Sequence, residues 1–292
     1  IITVEWRVLY VKLGYGVAGS GIYLDPGAQP GAFLHAALIR IPLLLAAQVG
    51  GLWSDFASGY PVLGITAVML AIAVALVAAV GLACARILRR DPTARFFATG
   101  MVLSAVPSAS TFPADRLLSF VGIGGMGLIA QLIAAALRDR AQLGDGRIRR
   151  GLCVAVALVM VLVNLVLAPP FLVLRSRSMV AVDRVMDRAD AGIPDAGNVI
   201  IAAVPNEAFA SYIPIMRASE HRPRPAHVYW LATAVTPVTL ERLDAETLRV
   251  TPEGGYLRYE LDRMMRSRPF AAGDRIPLTG LTIEVERVTS DG

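Results

Sequence analysis

Four apolar segments follow one another in the first 174 residues, and arginines gather in the connectors on only one side of them. The segments lie at 62–85, 96–111, 118–137 and 152–174. A helix needs roughly 20 mostly apolar residues to cross a bilayer, and the first and last segments reach that length without a charged residue. The sequence therefore predicts an α-helical integral membrane region.

The bulk composition agrees with this prediction. The hydrophobic fraction is 55% and the mean hydropathy is +0.57, whereas globular domains are roughly 45–50% apolar. The net charge of +5 comes from arginine, since the only lysine is Lys12. Because the arginines border apolar segments and no basic-aromatic surface motif accompanies them, the charge predicts a membrane orientation and argues against nucleic acid as a partner.

The two arginine-rich connectors set the predicted topology. They lie at 86–95 and 138–150, and the positive-inside rule predicts that both are cytoplasmic. By parity, the turn at 112–116 and everything from Arg175 onward are extracytoplasmic. We therefore expect a multi-pass protein of the inner (cytoplasmic) membrane.

The N-terminal part of the predicted membrane region, 1–175, carries two further apolar stretches. The first, 1–13, is too short to span and is expected to be the end of a helix that begins upstream of this chain. The second, 32–50, is interrupted by His35, Arg40 and Pro42. Because a mid-span charge costs roughly 2.5–3.5 kcal/mol, we expect an interfacial helix on the outer leaflet. The alternative is a kinked span.

The C-terminal third predicts a different kind of structure. Residues 176–197 are expected to form a helical stalk and linker, and 198–292 a small extracytoplasmic α+β domain. A strand at 198–204, a helix at 207–219 broken near Pro214, and a strand at 227–234 suggest a β-α-β unit. Further strands, and a hairpin turn at 253–255, are predicted from the β-rich pattern that follows. These strands lie at 238–243, 247–251, 256–259 and 281–288.

Three sequence patterns inside the apolar segments predict packing, not chemistry. Gly122–Gly127 matches the G-x-G-x-x-G pattern, but a dinucleotide site needs a preceding strand, so the glycines are expected to allow close helix approach. Asn164 is expected to make an interhelical hydrogen bond, and Pro169-Pro170 to end the last span. Cys84 and Cys153 are interpreted as packed thiols. The histidines show no metal-ligand spacing, and we predict neither a metal nor a cofactor.

Four charged residues are candidates for binding a lipid or substrate. Asp115 and Arg116 lie in the predicted outer turn, where charges can hold a lipid phosphate. The alternative for this pair is a solvated turn with a local ion pair. Asp25 precedes a proline, which favours a turn, and Arg40 belongs to the predicted interfacial helix. No catalytic residue can be assigned.

Three segments of the chain carry a resemblance to known proteins: Leu13–Pro26, Ser110–Leu118 and Pro252–Leu257. They are similar to the distal half of a group of bacterial multispanning proteins. The proximal half of that group resembles the GT-C membrane glycosyltransferases, which use polyprenyl-phosphate sugars. The resemblance implies a C-terminal domain facing the periplasm and a catalytic acid in a first external loop, which nothing in this chain matches.

Two functions remain open on this basis. The first is the C-terminal half of a GT-C-like glycosyltransferase, with membrane lipid and a polyprenyl-phosphate-linked sugar as partners. The alternative is a membrane-anchored extracytoplasmic binding or assembly module without catalysis. A transporter is a weaker third reading, because no predicted span carries the buried charges of a coupling-ion path.

Overall fold

The computed structural model describes residues 2–13, 23–50, 52, 54, 65–204, 207–234, 236–257 and 269–288. Most of the segment 13–26 and the first three residues of the predicted span 62–85 lie outside these ranges. Two residues of the predicted strand 256–259 do so as well.

The chain divides into two compact units, and the division falls between Leu174 and Arg175. The helical unit comprises residues 22–174, and the second unit, called here the α+β unit, comprises residues 1–21 and 175–292. Helix α1 covers Ile2–Lys12 and is grouped with the second unit. The extent of the membrane region, 1–175, stays a prediction.

Long apolar helices build the helical unit, as the sequence predicts. Among the described residues, four stretches are long and apolar enough to cross a membrane: Pro30–Gly50, Thr66–Arg90, Asp115–Arg138 and Arg147–Ala191. The helices and short helical turns, in chain order, are α2 (Pro30–Gly50), α3 (Ile65–Arg90), α4 (Pro92–Ser108), a 3₁₀ turn (Asp115–Leu118), α5 (Ser119–Arg138), a second 3₁₀ turn (Arg140–Leu143), α6 (Arg147–Val161), a π-helical turn (Leu162–Leu167) and α7 (Ala168–Ala191).

Helix α4 is shifted relative to the predicted span 96–111. It begins earlier, because Pro92 suits the first helical position and the Asp91 side chain accepts from the Thr93 amide at 2.8 Å. Its 17 residues extend about 26 Å, less than the roughly 30 Å hydrocarbon core. That α4 crosses the membrane stays a prediction.

The prediction that Pro169-Pro170 ends a helix is wrong. Helix continues from Arg147 to Ala191, and the π-helical turn precedes the prolines, with the Ala168 amide donating to the Val163 carbonyl. The wider turn accommodates residues that have no amide N–H to donate. The prediction for Asn164 is also wrong, since its amide donates to the Met160 carbonyl of its own helix at 3.0 Å.

The glycine pattern acts in packing, as predicted from its helical context. A Cβ atom on Gly124 of α5 would lie 2.5 Å from the backbone nitrogen of Met101 and 2.6 Å from the carbonyl oxygen of Phe97. Both of these residues belong to α4, so the two helices are in backbone contact at this point. The core of the unit, which includes Leu132, Leu143 and Met160, is assembled around these helices.

Helix α2 lies against α3, α4 and α5. Near its start, Phe33 and Ala37 pack with Ala109. Beyond its end, Ser54 binds Asp115. Both of these contacts are at the same end of the unit, next to the turn at 109–118. The interfacial placement of 32–50 and the alternative of a kinked span both stay predictions.

The α+β unit contains the predicted β-α-β arrangement. Strands β1 (Asn198–Ile201) and β2 (His227–Trp230) pair in parallel, and α8 (Glu207–Ser219) connects them. Helix α8 is continuous, so the predicted break near Pro214 is wrong. Two antiparallel pairs follow, β3 (Val238–Arg242) with β4 (Leu248–Pro252) and β5 (Arg275–Leu278) with β6 (Leu281–Glu284).

The hairpins differ from prediction at their turns. The β3–β4 hairpin turns at 243–247, where Asp244 Oδ1 accepts from the amides of Glu246 and Thr247 at 2.7 Å each. Residues 253–254 form a turn directly after β4, and the predicted strand 256–259 lies partly outside the described residues. Strand β5 was not predicted from the sequence. The turn that joins β5 to β6 is Thr279-Gly280.

Candidate functional site at one end of the helical unit

The helical unit has two chemically different ends. At one end, Arg86 of α3 pairs with Asp145 at 2.5 Å, which brings the two arginine-rich connectors together. Helices α4 and α5 lead from that end to the turn at 109–118. The prediction that both connectors lie on one side, opposite this turn, agrees with this arrangement. The membrane side that each end faces stays a prediction.

Asp115 holds the chain that follows α2. Its Oδ1 accepts a hydrogen bond from the backbone amide of Ser54 at 3.1 Å and another from the Ser54 hydroxyl at 2.8 Å. Ser54 is fully buried. A carboxylate that accepts two hydrogen bonds from one residue fixes that residue in place, so Asp115 has a structural role in this contact.

Arg40 is buried within the helical unit, with 8% of its surface exposed. Its Nη1 donates to the carbonyl oxygen of Ala109 at 3.1 Å. This carbonyl belongs to the last turn of α4, where backbone acceptors lack helical partners. The contact connects α2 to the end of α4 and compensates part of the cost of burying the guanidinium.

Asp25 forms a local turn, as the Asp-Pro sequence predicts. Its Oδ1 accepts from the Gly27 amide at 2.9 Å, and the neighbouring Leu24 amide donates to the Ser110 carbonyl at 2.7 Å. The segment that carries Asp25 therefore lies beside the end of α4.

Arg116 is the candidate with an exposed side chain. Its guanidinium carbon lies 5.4 Å from the centre of the Phe112 ring, within the range of a cation–π interaction. The ring holds the exposed guanidinium near the turn. Such a group can bind a phosphate with two parallel hydrogen bonds.

The structure thus gathers all four candidates around the segment 109–116. It also adds two residues that sequence reasoning missed. Ser54 has no local signal, since its partner lies 61 positions away. Thr111 has a buried hydroxyl oxygen that has no hydrogen-bond partner among the described residues, and nothing in its sequence context marks it as buried.

A second polar cluster, absent from the sequence predictions, lies in the α+β unit. Arg217 of α8, with 2% exposure, and Asp190, with 3% exposure, form a buried ion pair. Arg217 also donates to the carbonyls of Ile193 at 2.7 Å and Pro194 at 3.1 Å. Arg222 binds the other oxygen of Asp190 at 2.6 Å.

The end of α8 explains how both arginines reach one carboxylate. The Arg222 amide donates to the Arg217 carbonyl and the His221 amide to the Ala218 carbonyl, with His221 at φ 54°. These are the two hydrogen bonds of a Schellman motif. Burial alone would raise the pKa of Asp190, but hydrogen bonds from Arg217 and Arg222 outweigh it and hold that pKa below its ordinary value.

Among the described residues, no three His, Cys, Asp or Glu side chains group in a way that could hold a metal ion. Comparison of the chain with protein-family models, with curated proteins and with solved structures finds no match.

Proposed function

We propose that this chain is the distal half of a GT-C-like membrane glycosyltransferase, and that the 109–118 turn receives the phosphate of a polyprenyl-phosphate sugar. The observation that carries the proposal is the exposed guanidinium of Arg116 beside an Asp115 that Ser54 holds in place. The turn is anchored to α2 through Ser54 and through Arg40, so Arg116 projects from a fixed backbone. The resemblance places the catalytic acid of such an enzyme in a first external loop, which nothing in this chain matches.

Arginine substitutions test the phosphate contact directly. Charged hydrogen bonds contribute roughly 1.5–3 kcal/mol, so Arg116→Ala should weaken binding of a fluorescent polyprenyl phosphate about tenfold or more in nanodiscs. Arg116→Lys should weaken it less, because it keeps the charge but loses the planar fork. Arg138→Ala, at the other end of the same helix, is the matched control and should bind normally. Unchanged binding in Arg116→Ala would assign Arg116 to the surface cation–π contact alone.

Thiol labelling in intact cells tests the sidedness on which this proposal depends. Cysteines introduced at Arg90 and Arg147 should resist an impermeant maleimide, whereas a cysteine at exposed Ser119 should react. The two native cysteines are buried and provide a low background. Ready labelling of the cysteines at positions 90 and 147 would show that the topology is the opposite of the predicted one. The 109–118 turn would then not lie at the leaflet proposed for the polyprenyl-phosphate sugar.

The second candidate, a binding or assembly module without catalysis, is favoured by the self-contained core of the α+β unit. Met186, Ile193 and Ile213 pack together, and the buried Arg217–Asp190 pair lies beside them. This core begins upstream of the predicted domain start at 198. A fragment from 176 should therefore unfold cooperatively, whereas a fragment from 198 should not. The full-length gene separates the two functions, since an acidic first external loop upstream would support the enzyme.

A further inference from the structure

The end of the helical unit that carries the arginine connectors is also a built site. Arg86 Nη1 lies 2.5 Å from Asp145 Oδ2. The side chain of Arg149 lies against Gly144, the residue before Asp145, since a Cβ on Gly144 would be 2.6 Å from Arg149 Cδ. The hydrogen bond from Arg86, together with the charges of Arg86, Arg90 and Arg149, holds the pKa of Asp145 below its ordinary value. Arg86 pairs with this carboxylate, and the charges of Arg90 and Arg149 also act on it, which leaves excess positive charge.

The start of α6 adds to this excess. Its first turn carries arginine at 147, 149 and 150 and no acidic residue, and the N-cap Gly146 offers no side-chain hydrogen bond. The N-terminus of a helix already bears a partial positive charge, which disfavours cations and favours anions. An anion bound at this position would offset both sources of positive potential.

Two guanidinium groups at this end also have unmet hydrogen-bonding capacity. Over the part of the chain that the structure describes, Arg86 Nε and Arg150 Nε are buried without a hydrogen-bond partner. Buried donors are normally paired. Phosphate oxygens suit guanidinium groups, because they accept several charge-assisted hydrogen bonds at once.

The sequence places this cluster at the level of lipid headgroups. Arg86 follows the charge-free apolar segment 62–85, and Arg150 comes just before the apolar segment 152–174. Basic groups that border membrane helices meet the phosphates of the adjacent leaflet. The phosphate that is locally abundant at this depth is that of a phospholipid.

We propose that Arg86, Arg90, Arg149 and Arg150 form a binding site for the phosphate of an anionic phospholipid. The lipid's net negative charge balances the excess around Asp145, and its phosphate oxygens accept from the guanidinium groups of Arg90 and Arg149, which are exposed. The site lies at the opposite end of α4 and α5 from Arg116 and does not depend on the proposed function.

The two cysteines provide a local reporter for this site. Cys84 precedes Arg86 by two residues, and Cys153 Sγ lies 3.7 Å from the Leu143 carbonyl oxygen. Both thiols are buried, so a thiol-reactive dye reports the opening of this end on heating. In detergent micelles of the full chain, phosphatidylglycerol should raise the midpoint of dye reaction, and phosphatidylcholine should not.

Paired substitutions identify the arginines responsible. In Arg90→Gln/Arg149→Gln, the phosphatidylglycerol-dependent rise should be largely lost. The preference for phosphatidylglycerol over phosphatidylcholine by native mass spectrometry should fall about tenfold or more. Arg184→Gln/Arg188→Gln removes the same charge from exposed positions of α7 and should retain both effects. If the Gln pair folds poorly in phosphatidylcholine, Arg90→Lys/Arg149→Lys replaces it. The preference of this Lys pair for phosphatidylglycerol over phosphatidylcholine should lie between those of the unmodified protein and the Gln pair.

Three results would overturn the proposal. The first is an equal midpoint rise with phosphatidylcholine. The second is an undiminished phosphatidylglycerol effect in the Gln and Lys pairs. The third is full reproduction of the rise by inorganic phosphate at matched ionic strength, which would indicate a site for free phosphate.

Discussion

The two units of this chain each bury an arginine, and they do so in different surroundings. Arg40, in the helical unit, donates to the Ala109 carbonyl among apolar helices that approach through glycine. Arg217, in the α+β unit, binds a buried carboxylate, the carbonyls of Ile193 and Pro194 and a second carboxylate, Asp195. The apolar unit is held by close backbone packing, whereas the smaller unit closes its core with a charge network. A small core buries less apolar surface per residue, so polar contacts weigh more there.

Removing the buried charge should have the largest effect. Arg217→Met leaves Asp190 buried beside Arg222 alone and should cost about 3–5 kcal/mol. The measurement is denaturant unfolding followed by Trp230 fluorescence, with Trp6 and Trp53 replaced by Phe. Arg249→Met is the matched control, since Arg249 pairs with Glu286 and Glu241 at an exposed position and its loss should change the stability little. Equal costs would show that burial is not what distinguishes Arg217.

The corresponding test in the helical unit adds a methyl group where α4 and α5 are in contact. Gly124→Ala places a Cβ against the backbone of α4 and should destabilise the unit by about 1–3 kcal/mol through overpacking. Gly100→Ala is the matched control, because a Cβ there meets nothing within 4 Å, and it should be neutral or stabilising by up to about 1 kcal/mol. The readout is thermal reaction of the two buried cysteines with a maleimide dye. Similar behaviour of the two variants would contradict the close contact.

Acid should affect the α+β unit through Asp190. Its folded pKa lies below the ordinary value of 3.8, so its contribution to stability is fully present above that value and is lost as the pH falls through the folded pKa. Unfolding of the fragment from 176, monitored by Trp230, should show a fall in stability below about pH 4. Asp190→Asn should be less stable at neutral pH and should show a shallower fall. If Asp190→Asn loses stability in acid as steeply as the unmodified protein does, other carboxylates cause the acid dependence.

A single left-handed residue should give the smallest effect. His221 ends α8 at φ 54°, where a side chain is disfavoured and glycine is usual. His221→Gly should stabilise the α+β unit by about 1 kcal/mol or less. The Schellman hydrogen bonds orient Arg222 toward Asp190. If the stabilisation by His221→Gly comes only from the backbone conformation, it should be the same when Arg222 is replaced by Gln. A destabilising result would indicate that the imidazole itself contributes.

Several features were predictable because they depend on neighbouring residues. The apolar segments 62–85, 118–137 and 152–174 correspond to long helices, since apolarity over 20 residues is a local property of the chain. The β-α-β unit was also correct, because strand and helix periodicities differ within a few residues. The turn at Asp25 followed from the Asp-Pro pair.

The sequence by itself determined where helices and strands form and which stretches favour a membrane. Tertiary structure decided the rest. Asp115 meets Ser54 across 61 positions, Arg217 meets Asp190 across 27, and helix continues through Pro169-Pro170 by widening one turn. The first two of these outcomes depend on which distant donors and acceptors are brought within about 3 Å, and no local pattern of residues encodes that distance.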